Sequence, residues 1–286
     1  MRRRDIPHSK ERIRRKRNYV IQNTTLIVFA LILFVGTLVW ILSDERVRIS
    51  RIDVSGNVVI QDHEIEDHVN EVLNGKYLFL FPRDSVFLYP RKEIYDSVRS
   101  DFKRILKLEV ERKNLTVLSI QIEERQPHAL WCGDEYRKID ESSVCYFLDA
   151  GGYIFSEAPQ FTGSAYFEFF GPHTSATTTE KISDTPIGTQ YRTPLEFEKI
   201  NQFKENLERL SIGTRAMAAL PFGDYVLYMN EGGKVFWNIK REPLDLASDF
   251  EAAYRIEMGD PNDSLTREKI EYIDMRFENK VFFKKK

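Results

Sequence analysis

Few side chains in this chain are spaced for catalysis. The run His63-Glu64-Ile65-Glu66-Asp67-His68 holds two histidines and a carboxylate, the components of a zinc-hydrolase helix. The spacing argues against that use. Residues five apart on a helix point about 140° apart, whereas two zinc ligands need a separation of four to share a face. His8, His128 and His173 are scattered. Glu123-Glu124 and Asp140-Glu141 are adjacent carboxylates, which point to opposite faces of an extended chain and form no acid–base pair. No Gly-x-Ser-x-Gly elbow and no phosphate-cradling glycine loop occurs. The expectation is a protein that is not an enzyme, with no catalytic residue, metal, cofactor or small-molecule substrate. Cys132 and Cys145 remain. Two cysteines are too few for a four-thiolate zinc site. Both flank apolar segments that suit a hairpin, so outside a membrane a disulfide is expected, worth about 3 kcal/mol by loop closure. Two buried free thiols are the alternative.

The elements that would carry these residues fall in an ordered series. The chain has 286 residues and a net charge of −2. It is too apolar for disorder and long enough for about two domains. The charge is segregated. Residues 1–18 carry nine basic side chains against two acidic ones, residues 19–42 carry none, and the remainder is acidic by nine charges. Residues 24–42 include thirteen Leu, Ile, Val or Phe, with Tyr19 and Trp40 near the ends. As a helix this run is about 28 Å long, close to the hydrocarbon thickness of a bilayer. Residues 1–18 therefore read as a basic cytoplasmic tail, held inside by the positive-inside rule, and residues 19–42 as an uncleaved transmembrane helix. Such a tail needs no nucleic-acid partner.

Beyond it, residues 47–125 read as β-α-α-β-β. Alternation at Val47, Ile49, Ile52 and Val54 gives a strand, and residues 60–73 a helix with Asp62 as candidate cap. Tyr77 to Phe81 is very apolar for a loop. A short helix opens at Pro90, and strands at 104–112 and 115–122 flank a tight turn at Lys113-Asn114. Residues 126–286 read as a strand-rich β domain. Its features are a helix from Leu195 to Leu210 ended by Gly213, a polar Thr-rich loop at 171–194, hairpins at 149–152 and 231–233, and one long final strand over 270–283. The fold class is thus α+β.

Three motif groups carry a resemblance. The first is Ile52-x-Val54-x-Gly56-Asn57 after the apolar run. The second is Gly75-Lys-Tyr77-Leu78-Phe79-x-Phe81, with Leu108-x-Val110-x-Arg112 and Leu118-x-Ile120-x-Ile122-x-Glu124-Arg125-x-Pro127. The third is Cys145-Tyr-Phe-Leu148-Asp149-x-Gly151-Gly-Tyr-Ile154-Phe155, with Ile273-Asp274-x-Arg276-Phe277-x-Asn279-Lys280-Val281. In this order they resemble the FtsQ/DivIB family of bacterial cell-division proteins, whose plan is tail, single anchor, POTRA domain and β domain. The resemblance implies a non-enzymatic divisome scaffold in the inner membrane, with its bulk extracytoplasmic and located at the septum. Its partners would be small coiled-coil membrane proteins like FtsB (DivIC) and FtsL. It also implies that the last β-strand receives a partner strand, which places Tyr272, Arg276, Phe277, Lys280, Val281 and Phe282 at the docking edge. Arg276 would pair with a partner carboxylate, and Phe277 and Phe282 would anchor apolar contacts. The alternative for the aromatics is the domain's own core. Rival functions are a POTRA-bearing assembly or secretion component and an extracytoplasmic enzyme with an unrecognised site.

Overall fold

In a computed structural model the chain is described at residues 10–136, 143–161, 165–173, 185–230, 232–258, 270–278 and 280–286. The uncharged run lies in α1 (Lys10–Leu42). This helix begins inside the basic tail, because neither proline nor a glycine pair interrupts the sequence between residues 10 and 42. It is long and apolar enough to cross a membrane. From residue 14 onward every side chain of α1 is exposed except half-buried Val35 and Val39 and buried Leu42. Its threonines hide their polarity within the helix. Thr24 donates to the Val20 and Ile21 carbonyls at 2.9 and 2.8 Å, Thr25 to Ile21 at 2.8 Å, and Thr37 to Leu33 and Phe34 at 3.0 and 2.8 Å. A hydrocarbon environment demands such internal pairing.

A short 3-10 turn, Glu45–Val47, capped by the Asp44 side chain, leads to β1 (Arg51–Ser55). There follow α2 (Asp62–Leu73), the two-residue strands β2 (Lys76–Tyr77) and β3 (Phe81–Pro82), α3 (Arg91–Asp101), β4 (Ile105–Arg112) and β5 (Val117–Glu124). The sheet order is β1-β5-β4, with β1 parallel and β4 antiparallel to the central β5. Leu118, Ile120 and Ile122 of β5 face Ile65 and Val69 of α2 and Ile94 and Val98 of α3 in one core. Several expectations are corrected. The cap of α2 is Gln61, whose N–H donates to Glu64 at 3.1 Å, while Asp62 accepts from Asn57 at 2.5 Å. The second strand of the β4–β5 pair starts at Val117 rather than Leu115, because the Asn114 side chain accepts from the N–H groups of Thr116 and Val117 and widens the turn. The apolar 77–81 segment is a hairpin, not a loop.

Two tight approaches set the β1–α2 corner. Gly56 has φ +85, and a Cβ there would lie 2.1 Å from the Ile122 carbonyl oxygen, so only glycine fits. Glu124, 5% exposed, accepts the N–H groups of Val58, Val59 and Ile60 at 2.7, 2.9 and 3.0 Å. Burial pushes its carboxyl up, but the three backbone donors and the Arg104 charge outweigh that and hold it below the usual glutamate range.

The first unit ends at Glu124 and the second begins at Arg125. The second contains β6 (Ala129–Trp131), β7 (Tyr146–Leu148), β8 (Ile154–Glu157), β9 (Glu168–Phe170), α4 (Pro194–Arg209), β10 (Thr214–Ala219), β11 (Asp224–Met229), β12 (Lys234–Asn238), α5 (Pro243–Met258), β13 (Ile270–Phe277) and β14 (Lys280–Lys285). They form one sheet, ordered β14-β13-β12-β11-β10-β9-β6-β7-β8. Period-two burial divides it. Trp131, Phe169, Met217, Leu227, Trp237 and Ile273 face α4 and α5, where Phe197, Phe203, Leu246 and Phe250 complete the main core. Leu130, Phe147, Phe155, Phe170, Ala218 and Val226 form a second cluster on the opposite face. Cys132 and Cys145 belong to that cluster and are joined by a disulfide, with Cα atoms 4.3 Å apart.

The expected Thr-rich loop at 171–194 is redrawn in part. Residues 174–184 lie outside the described residues. Residues 188 and 189 bond to Ile154 of β8, Tyr191 is fully buried and donates to the Phe170 carbonyl at 2.7 Å, and Thr193 caps α4 with Glu196. That helix ends at Arg209, with Ser211 rather than Gly213 in the left-handed region (φ 62).

Candidate partner-docking edge

The segment expected as one terminal strand is a hairpin. Phe277 pairs with Lys280 across residues 278 and 279, the second of which lies outside the described residues. Strand β13 is interior, parallel to β12 and antiparallel to β14. Among the described residues no strand pairs with the outer side of β14. The opposite end of the sheet differs, because Ile154 of β8 exchanges backbone hydrogen bonds with Gly188 and Thr189 at 2.8 and 2.9 Å.

The proposed site residues therefore separate. Lys280, Val281 and Phe282 lie on the open edge, whereas Tyr272, Arg276 and Phe277 lie on the strand behind it. Val281 packs on the main core. Phe282 is 49% exposed and meets Phe277, 52% exposed, edge-to-face at 5.7 Å. Tyr272 is half-buried against Phe236 of β12 at 6.2 Å. Phe283, 43% exposed, and Lys284 join the edge, although the sequence reading did not select them.

Arg276 is the main correction. Its guanidinium does not await a partner. It donates to Asp274 at 2.6 and 2.9 Å and to Asp224 of β11 at 3.1 Å, above the Phe236 ring at 5.4 Å. Asn238 donates to the other Asp224 oxygen at 2.6 Å. Burial pushes the Asp274 carboxyl up, but Arg276 outweighs it and holds it below the usual aspartate range, while Asp274 keeps Arg276 protonated. A cation bonded to two carboxylates and seated on an aromatic ring fixes strands β11, β12 and β13 together. It positions the edge and does not itself reach out.

The edge's own chemistry is apolar and cationic. Phe282 and Phe283 project to opposite faces of β14, among Lys280, Lys284, Lys285 and Lys286. Lys284 pairs with Glu271 at 2.7 Å. The outer strands of the first sheet carry ion pairs of the same kind: Arg51–Asp53 at 2.8 Å on β1, and Lys107 of β4 with Glu123 at 2.6 Å. What distinguishes β14 is its two half-exposed phenylalanines, Phe282 and Phe283.

The other candidates disperse. His68 bonds Ser97 at 2.7 Å and approaches Asp101 at 3.6 Å, with no ligand partner in His63. Among the described residues no group of three or more potential metal ligands converges. Glu123 is exposed and Glu124 buried, while Asp140 and Glu141 lie outside the described residues. Arg125 ion-pairs with Asp149 and lies 4.0 Å from the Tyr153 ring centroid. Asp149 also caps the 149–152 turn through the Gly151 and Tyr153 N–H groups. In comparison with known proteins, no family model matches this sequence and no curated protein matches it.

Proposed function

We propose that the chain is a single-pass membrane scaffold of the FtsQ/DivIB type. Its basic tail would be cytoplasmic, with a POTRA-like unit at residues 47–125 and a β domain at 126–286 outside. It recruits small coiled-coil membrane proteins of the FtsB/DivIC and FtsL kind at the bacterial division septum. The observation that carries this reading is the open, aromatic and lysine-lined edge of β14, at one end of a sheet whose other end is covered at Ile154. Strand addition there satisfies the edge N–H and C=O groups, Phe282 and Phe283 grip alternate side chains, and the lysines favour an acidic partner strand. The motif order in the sequence supplies the family. The α1 helix, long and apolar enough to span, supports the anchor.

The test places a photo-crosslinking phenylalanine at 282 or 283 in the full-length protein in cells, with exposed Glu198 of α4 as control. Crosslinks from 282 and 283, but not 198, to a small coiled-coil membrane protein are expected, together with midcell fluorescence of a tagged chain. Uniform envelope fluorescence and no edge-specific crosslink would refute the proposal.

A further inference from the structure

The β2–β3 hairpin breaks the local rules for such turns. Tyr77 accepts the Leu80 N–H at 3.0 Å, and both central residues are left-handed, Leu78 at φ 49 and Phe79 at φ 62. Turns with positive φ at both centres favour Asn-Gly, because bulky side chains are strained there. Here the two positions hold Leu and Phe, 81% and 95% exposed, flanked by Leu80 at 49%. Phe222 of the second unit shares this combination, at φ 64 and 96% exposed, so what singles out the hairpin is an adjacent pair of strained, exposed apolar residues beside the end of α1.

The occupant follows from where α1 ends. Val35, Val39 and Leu42 are the covered side chains of residues 14–42, one stripe over the last two turns of the helix, and α1 contacts β3. Val35 to Leu42 spans about 10 Å along the axis. Trp40, 74% exposed, lies within it at the level where amphipathic rings prefer the lipid interface. The chain leaving α1 is also tied to the chain leaving the hairpin. Val86 donates to Val47 at 2.9 Å, Ile49 to Asp84 at 2.8 Å, and Arg48 forms a salt bridge with Asp84 at 2.5 Å. Lys76, exposed at the base of the hairpin, is placed for anionic headgroups, whereas Arg83 is ion-paired with Glu93 and lies over the Tyr77 ring.

We propose that the 77–81 hairpin is a second membrane contact, inserting Leu78 and Phe79 into the headgroup–acyl boundary of the leaflet where α1 ends. This rests on α1 being a span and is independent of partner docking at β14. Insertion would fix the tilt and rotation of the first unit against the bilayer, since one helix alone permits free rotation about its axis.

The native cysteines are bonded to each other, so an introduced thiol is uniquely labelled. Phe79→Cys full-length protein would carry an environment-sensitive NBD dye in phosphatidylcholine/phosphatidylglycerol vesicles containing nitroxide at acyl position 5 or 12. Leu78→Cys provides a second site, Ser100→Cys on the exposed end of α3 a water control, and Phe29→Cys within α1 a depth control. The expected result is about twofold stronger quenching of the label at 79 by the shallow nitroxide than by the deep one, with none at 100. Strong deep quenching at 29 with none at 78 or 79 overturns the hairpin proposal and leaves the span intact. No quenching at 29 refutes the span, and the hairpin proposal with it. A label at 79 that stays wet in lipid and is covered only when a partner protein is added also overturns it.

Discussion

Glu124 ties the end of β5 to the loop before α2 through one carboxylate oxygen, and removing it tests that arrangement. A hydrogen bond to a charged acceptor contributes about 1.5–3 kcal/mol, and a buried donor left alone costs a comparable amount. The Ile60 N–H is buried and loses its partner outright in Glu124→Ala. Val58 and Val59 are exposed residues, so water replaces much of what they lose, leaving under about 1 kcal/mol each. The expected loss for Ala is therefore about 2–4 kcal/mol, and for Gln, which keeps an acceptor, about 1–2 kcal/mol. Hydrogen exchange of α2 amides in the full-length protein measures it, and at about tenfold per 1.4 kcal/mol the Ala variant should exchange about 30- to 700-fold faster. The sign with pH follows from the direction of the shift. The folded carboxyl is held below its unfolded value near 4.5, so its contribution is complete above that pH and is lost as pH falls through the folded value. The gap between native protein and Glu124→Gln should close in acid. Less than threefold acceleration in the Ala variant, or a Gln gap unchanged between pH 7 and pH 3, would refute the reasoning.

Two further outcomes are expected. Cys132→Ser should lower the stability of the second unit by about 3 kcal/mol, seen as a lower urea midpoint that reductant reproduces in the native protein. Arg276→Gln should weaken edge crosslinking indirectly, with faster exchange across β11 and β13, whereas Phe282→Ala should weaken it with exchange unchanged. Equal exchange profiles for the two variants would contradict the positioning role of Arg276.

How far these features were legible depended on how local their physics is. The apolar run was readable as a helix because nineteen successive residues, 24–42, hold no charge and no proline. Strands β4 and β5 were readable because one face is buried, so every second residue is apolar. Strand β10 escaped notice. Its sequence, Thr-Arg-Ala-Met-Ala-Ala, has one β-branched residue and no aromatic one, and it pairs because β9 and β11 enclose it. The β13–β14 turn was hidden because Glu278 keeps the polar phase of an alternation whose apolar positions, Met275, Phe277, Val281 and Phe283, are interrupted at Asn279 alone. The β2–β3 turn was hidden for the opposite reason, having none of the usual turn residues. Asp224, the partner that most changes the reading of Arg276, is fifty-two positions away and announced by nothing near it. The Thr193–Glu196 capping box, by contrast, was present in the sequence and obscured by its polar surroundings.

The asymmetry of the nine-stranded sheet limits what it can build. With residues 188 and 189 bonded to Ile154, a second copy of the sheet pairing at that position of β8 would have to displace them. If a guest strand adds at β14 as proposed, growth among the described residues is open on that side, and whether it halts after one guest depends on the guest's own outer flank. A short or charged incoming strand terminates the array at a defined stoichiometry, while a long apolar one would turn a recruiting surface into a polymerising one.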